Sequence, residues 1–208
     1  SVRAFTLECW VRPARTDAWA GLITQYDFPA ACGYGLFLGP NGMVSFYLGD
    51  GKAYDSAFRH DSPVRSLVQD RWQHIVATWD GEQKTVWIDG KEAARWPFRG
   101  IVAVGTTSLR LAAYGQGGLA DNFLDGDLAM PVIYSRALSG AEVAGRFAER
   151  GQKVATDAAV LACWPFAEER GERVADVSRH KREGRIINHA TWMIGGPSFN
   201  ADVPRFGG

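Results

Sequence analysis

Cysteine is scarce in this 208-residue chain: Cys9, Cys32 and Cys163 stand apart, with no CxxC pair and no histidine at metal-ligand spacing. An odd, scattered set argues against a disulfide framework and leaves room for one bridge at most. The three thiols read instead as small buried apolar groups in a reducing compartment, so the expected location is cytoplasmic rather than secreted. Long apolar runs are also lacking. None approaches the about 18–20 residues of a membrane span, and no signal-peptide core opens the chain. An excess of either charge is missing too, since 23 Lys+Arg balance 23 Asp+Glu. Neither a nucleic acid nor a membrane surface is therefore expected as a partner.

What is plentiful is glycine, at 24, and tryptophan, at 8. Many turns with many aromatics fit a sheet protein with a thick core, and 208 residues suit a single large all-β domain. Residues 5–12, FTLECWVR, alternate strictly. Phe5, Leu7, Cys9 and Val11 take one face, Thr6, Glu8, Trp10 and Arg12 the other, and Pro13 ends the ladder. GLITQYDF (21–28) predicts a second strand, and YGLFLGPNGMVSFYLGDG predicts two strands joined at Gly39-Pro40-Asn41-Gly42. There Pro presets φ, while Asn and Gly accept positive φ. Asp80-Gly81 and Asp89-Gly90 mark two further reversals, making a meander of WQHIVATW, KTVWI and KEAAR. SLRLAAY (108–114) and GDLAMPVIYSRAL (126–138) add strands. One helix is predicted in SGAEVAGRFAERG, with a Ser139/Glu142 capping box and a Val143/Phe147 stripe. About ten strands and one late helix predict an all-β fold, a two-sheet antiparallel sandwich.

Two blocks carry more than periodicity: RWQHIVATWDG, and LDGDLAMPVIYSRALSGAEV. In this order and spacing, from residue 4 to 148, the chain resembles the laminin-G-like, concanavalin A-like jelly roll. The resemblance implies two sheets of about six or seven strands. CWPFAEERGERVADVSRHKREGRIINHATW (163–192) resembles the segment that usually precedes the first strand in that family, yet here it follows the helix. The chain is thus expected to be circularly permuted, with Trp164 and Phe166 facing the core. Residues 1–208 are expected to form one domain, core 4–148 and permuted strands 159–203. Both ends read as cuts in a longer polypeptide. This strand order, and Pro131 inside its strand, are similar to the lectin-like domain of the N,N-dimethylformamidase large-subunit family. In that family the metal-dependent amide hydrolysis belongs to another domain, so the resemblance transfers no catalytic residue.

Each candidate chemistry meets an obstacle in the sequence. A retaining glycosidase of this fold is expected to show E-x-D-x-E or E-x-D-x-x-E, which places two carboxylates about 5 Å apart. Asp125-Gly126-Asp127 lacks the glutamates, and Glu168-Glu169 sits in a turn. His74 lies among apolar strand positions; His60, His180 and His189 join no Ser-His-Asp set. Gly115-Gln116-Gly117-Gly118 has no helix behind it to cradle a phosphate. The resemblance implies a calcium site near Asp176, Ser178 and Asn188, but Ala129 stands where a carboxylate is expected, and Asp176 reads better as a turn anchor that accepts backbone N–H bonds. For a sugar, Asp17, Trp19, Tyr114, Asp121 and Asn122 are the candidate contacts. The basic run RHKREGR (179–185) is balanced by EERGE just before it. The expectation is a non-catalytic accessory or assembly module whose partners are other domains or subunits of a dimethylformamidase-like enzyme. A carbohydrate-binding domain is the alternative, and a glycosidase is disfavoured.

Overall fold

The computed structural model describes residues 3–52, 58–116, 119–193 and 195–197. Two antiparallel sheets face one another. The larger contains β1 (Phe5–Pro13), β6 (Gln73–Trp79), β7 (Gln83–Ile88), β8 (Lys91–Pro97), β10 (Gly126–Tyr134) and β11 (Val160–Cys163), in the order β11-β10-β1-β6-β7-β8. The smaller contains β2 (Ala20–Thr24), β3 (Cys32–Gly39), β4 (Met43–Asp50), β5 (Arg59–Asp61) and β9 (Arg110–Leu111), in the order β5-β4-β3-β2-β9. A separate two-stranded ribbon joins β12 (Arg173–Val174) to β13 (Gly184–Arg185).

Alternation sets the core. Phe5, Leu7, Cys9 and Val11 of β1 meet Leu36, Leu38, Val44, Phe46 and Leu48 of the smaller sheet. The Pro40-Asn41-Gly42 turn is one 3-10 turn, with Asn41 at φ 60° and Gly42 at φ 69°, the left-handed region those residues tolerate. Asp89 and Gly90, at φ 51° and 76°, close the β7–β8 hairpin. Pro131 is accommodated by an extra residue on β10: Glu8 pairs with Val132 but Trp10 with Ala129, and Met130 turns to φ 48°. A proline costs no ladder bond at such a bulge.

Two predicted strands are shorter than expected. β2 stops at Thr24, and the run 108–114 contributes only Arg110–Leu111, with Tyr114 bridging Asp121. The segment after the helix does complete the sandwich, because Trp164 lies 4% exposed in the main core and Phe166 packs against it. It joins the sheet edge beside β10, one strand removed from β1. The expected stretch 159–203 runs into residue 194 and residues 198–203, which are outside the described set.

Helix α1 (Gly140–Ala148) begins in the expected capping box, Ser139 accepting from the Glu142 N–H and Glu142 from the Ser139 N–H. It lies on the outer face of the larger sheet. Val143, Leu138 and Phe147 pack there on Trp10, Val76, Val132 and Tyr134.

Candidate functional site

The residue types that catalyse reactions elsewhere are gathered here under α1. Glu8 lies on the face of β1 that alternation directs away from the core, yet it is 0% exposed. Its carboxylate accepts from Tyr134 Oη at 2.5 Å, from Arg146 Nε at 3.0 and 3.2 Å, and shares a hydrogen bond with His74 Nε2 at 3.1 Å. Burial pushes the Glu8 carboxyl up, but His74, Arg146 and Tyr134 together outweigh it and hold it below the usual range. Burial and the adjacent Glu8 charge push the Tyr134 phenol well up. Tyr134 and Arg146 also line a cleft beside α1, but Glu8 and His74 do not, and the Arg146–Glu8 pair locks α1 to the sheet. His74, expected as a strand histidine, is one of its members.

A second buried group spans the two sheets. Lys84 on β7 shares the inward parity of Val86 and is 0% exposed. Its Nζ donates to the carbonyls of Phe46 at 2.8 Å and Phe58 at 2.7 Å, between the rings of Phe46 and Phe98. Burial drives its pKa well below that of an ordinary lysine, against the pull of Asp61.

The face that carries accessible chemistry is the outer side of the smaller sheet. Phe37 on β3 and Tyr47 on β4 alternate with core residues and point away from the core, joined by Tyr26 just past β2. Gly35 clears the space that the Phe37 ring fills, since a Cβ there would lie 2.2 Å from it. Over these buried rings pack the half-buried Trp19, Phe28 and Tyr114. Ring centroids are 4.8 Å apart for Phe37–Tyr47, 5.1 Å for Phe37–Tyr114 and 5.7 Å for Phe28–Tyr114, mostly tilted or edge-on as aromatic quadrupoles prefer. Arg59 of β5 sets its guanidinium 4.7 Å from the Trp19 ring and pairs with Asp61 at 2.6 Å. Exposed Leu119 and Phe123 flank the Tyr114–Asp121 bridge.

Trp19 and Tyr114 of the expected sugar contacts are therefore brought onto one aromatic cover. Asp121 and Asn122 sit beside Tyr114, the Asn122 amide donating to the Asp121 carboxylate. Asp17 is exposed and paired with Arg15 at 2.7 Å. Sequence reasoning missed Tyr26, Phe28, Phe37, Tyr47 and Arg59. The alternation of Gly35 and Phe37, and of Ser45 and Tyr47, against inward leucines and phenylalanines was the available signal.

The expected calcium residues sit elsewhere, by β11. Asp176, 2% exposed, accepts the N–H groups of Cys163 (2.9 Å), Ser178 (2.8 Å) and Arg182 (2.7 Å) and the Ser178 hydroxyl (2.8 Å). Burial raises its pKa, and these donors more than reverse that. Both oxygens face proton donors and Asn188 is exposed, so the set does not fit a cation that needs six to eight oxygens. Among the described residues no cluster of three or more His, Cys, Asp or Glu could hold a metal. No described helix is long and apolar enough to cross a membrane. Of the glycine run, Gly117 and Gly118 lie outside the described residues.

Comparison with known proteins gives this geometry a context. The family model described as the concanavalin A-like lectin/glucanases superfamily matches residues 1–144. The chain is similar to the N,N-dimethylformamidase beta subunit of Paracoccus aminophilus. The two are 28% identical over 200 aligned residues, covering 81% of this chain and 25% of that protein. The chain thus spans about a quarter of the length of that relative. A candidate carbohydrate binding protein from Bacteroides ovatus has a TM-score of 0.67 at 10% identity, over 88% of this chain and 52% of that one. The Ruminococcus gnavus IT-sialidase CBM40, bound to α2,3-sialyllactose, has a TM-score of 0.55 at 15% identity, over 71% of this chain and 84% of that one. At these identities the structural likeness shows a shared fold alone.

Proposed function

The chain belongs to the concanavalin A-like lectin/glucanases superfamily, and from that premise we propose that it is a non-catalytic accessory module of a larger amide hydrolase similar to N,N-dimethylformamidase. One observation carries the reading. The constellation with catalytic residue types, Glu8, His74, Tyr134 and Arg146, lies beneath α1, with Glu8 and His74 both 0% exposed. The cleft beside α1 that Tyr134 and Arg146 line stops short of the Glu8 carboxylate and the His74 ring. The relationship to a hydrolase subunit four times as long supports placing the chemistry in another part of such an enzyme. Contacts with that part are assigned to the aromatic side of the smaller sheet.

A second reading rests on the half-buried Trp19 and Tyr114 beside Asp121 and Asn122, an aromatic platform next to polar groups of the kind that holds a sugar ring. The test has two arms. The isolated chain is expected to release no dimethylamine from N,N-dimethylformamide, and turnover abolished by Glu8→Gln refutes the non-catalytic role. Calorimetry against sialyllactose and neutral oligosaccharides decides the second reading. Millimolar or tighter binding lost in Trp19→Ala establishes it in place of the first, and no heat with any glycan removes it.

A further inference from the structure

The edge strand β5 is three residues long, and its alternation sends them to opposite sides of the sheet. Arg59 and Asp61 face outward, Arg59 over Trp19 and Asp61 bonded to Arg59 and to the Ser45 hydroxyl. His60 turns inward, opposite Phe46, and stacks on Trp96 of β8 at 5.1 Å and 26°. Its Nδ1 is buried and has no hydrogen-bond partner among the described residues. Lys84, which holds the Phe58 carbonyl at the entrance to β5, lies near enough to bear on the ring.

We infer that His60 is an acid-triggered release for β5: a proton on its imidazole drives the strand from β4 and withdraws Arg59 from the aromatic face. The imidazolium carries two N–H donors, and among the described residues the one on the buried Nδ1 finds no acceptor. The neighbours are Phe46 from β4 and Trp96 from β8, which carry no charge, and Lys84 from β7, which adds a like one. Asp61 is the opposing charge, but it lies on the outward side of the strand and is already bonded to Arg59 and Ser45. Burial first, then Lys84, therefore hold the His60 pKa down to about 4, against Asp61.

β5 is a short edge strand, paired with Ser45, Phe46 and Tyr47. Its release must also break the exchange of bonds between Ser62 and Val44 and the Lys84 bond to the Phe58 carbonyl. Once it leaves, Trp19 and Tyr47 lose their guanidinium cover, so the same proton that is unwelcome inside uncovers aromatic surface outside. The device does not depend on what meets that face.

Hydrogen exchange of the whole chain between pH 7 and pH 4, corrected for intrinsic rates, tests it. Amides of residues 59–62 are expected to lose protection at least tenfold as pH falls, while β1 and β6 keep theirs. His60→Phe keeps the stack without the titration and is expected to retain protection at pH 4; His60→Gln serves as a second non-titrating variant. Unchanged wild-type protection overturns the inference. So does parallel loss in β1 and β6, or the same local loss in both variants.

Discussion

Replacing Arg146 by alanine tests the lock under α1. Arg146 donates to both Glu8 oxygens, and its Nη1 also reaches the Glu149 carboxylate at 2.5 Å and the Lys153 carbonyl at 3.0 Å. Its side chain is 14% exposed and that of Glu8 is 0%. Deleting the arginine leaves a desolvated carboxylate with only His74 and Tyr134, and removing one partner of a buried ion pair costs about 3–5 kcal/mol. For a domain of about 200 residues that lowers Tm by about 6–20 °C. Urea unfolding followed by tryptophan emission reads it directly, since the Trp10 ring lies 4.9 Å from that of His74. The pH dependence gives an independent readout. Glu8 binds its proton less readily folded than unfolded. Its contribution is therefore fully present above the unfolded pKa of about 4.3 and is lost as pH falls through the lower folded value. Wild-type stability should decline below about pH 4.3, and Glu8→Gln should flatten that decline. A cost for Arg146→Ala under about 1 kcal/mol, the worth of an exposed pair, refutes the reasoning.

Further perturbations follow from individual positions. Lys84 releases its proton more readily in the folded state, so wild-type stability should rise with pH from neutrality towards the unfolded lysine pKa of about 10.4. Lys84→Met should remove that slope in urea titrations at pH 7 and pH 9, and a slope that survives the change places its origin elsewhere. Asp176→Asn faces an amide towards backbone N–H groups and should cost about 1–3 kcal/mol. Millimolar calcium should leave the Tm of the wild type unchanged in thermal scans, and a rise of several degrees contradicts the turn-anchor role. Two glycines should respond with opposite signs in denaturant titrations. Gly145→Ala on α1 meets nothing within 4 Å and should gain about 0.5–1 kcal/mol. Gly21→Ala sets a Cβ 2.2 Å from the Ala113 carbonyl and should cost about 1–3 kcal/mol or more.

The sequence made legible what is local. Alternation in β1 identified its core face, Asp-Gly and Pro-Asn-Gly located the reversals, and Ser139 with Glu142 placed the helix start. The jelly-roll resemblance then supplied the pairing of distant strands, including the place of Trp164. Alternation does not say what covers the outward face of a strand: Trp10 could be counted as core or sheet cover, but Glu8 gave no sign of being as buried as Leu7. Their cover comes from α1, more than 130 residues away. Lys84 was hidden differently: its parity matches Val86, but lysine ordinarily marks solvent, and the carbonyls of Phe46 and Phe58 that satisfy it are set by tertiary structure. Of the site, Trp19 and Tyr114 could be picked out as aromatics near strand ends. Arg59 could not, because β5 is three residues long and owes its position to pairing with β4 rather than to any pattern of its own.

The contrast between the two outer faces bears on where this domain can act. On the larger sheet, Glu8 is buried and bonded to both His74 and Arg146, and opening that face forfeits the lock and the packing of Val143, Leu138 and Phe147 together. Ligand binding there would have to meet that cost before any contact counted in its favour. On the smaller sheet, the cover consists of the half-buried Trp19, Phe28 and Tyr114, which keep surface to offer a partner. Binding energy spent there is not first consumed by unfolding. The same inequality says that insertions tolerated in evolution should accumulate in the loops around Tyr114 and Trp19 rather than at the α1 boundary, and that a partner's contacts should trace the aromatic side irrespective of whether the partner is a protein or a sugar.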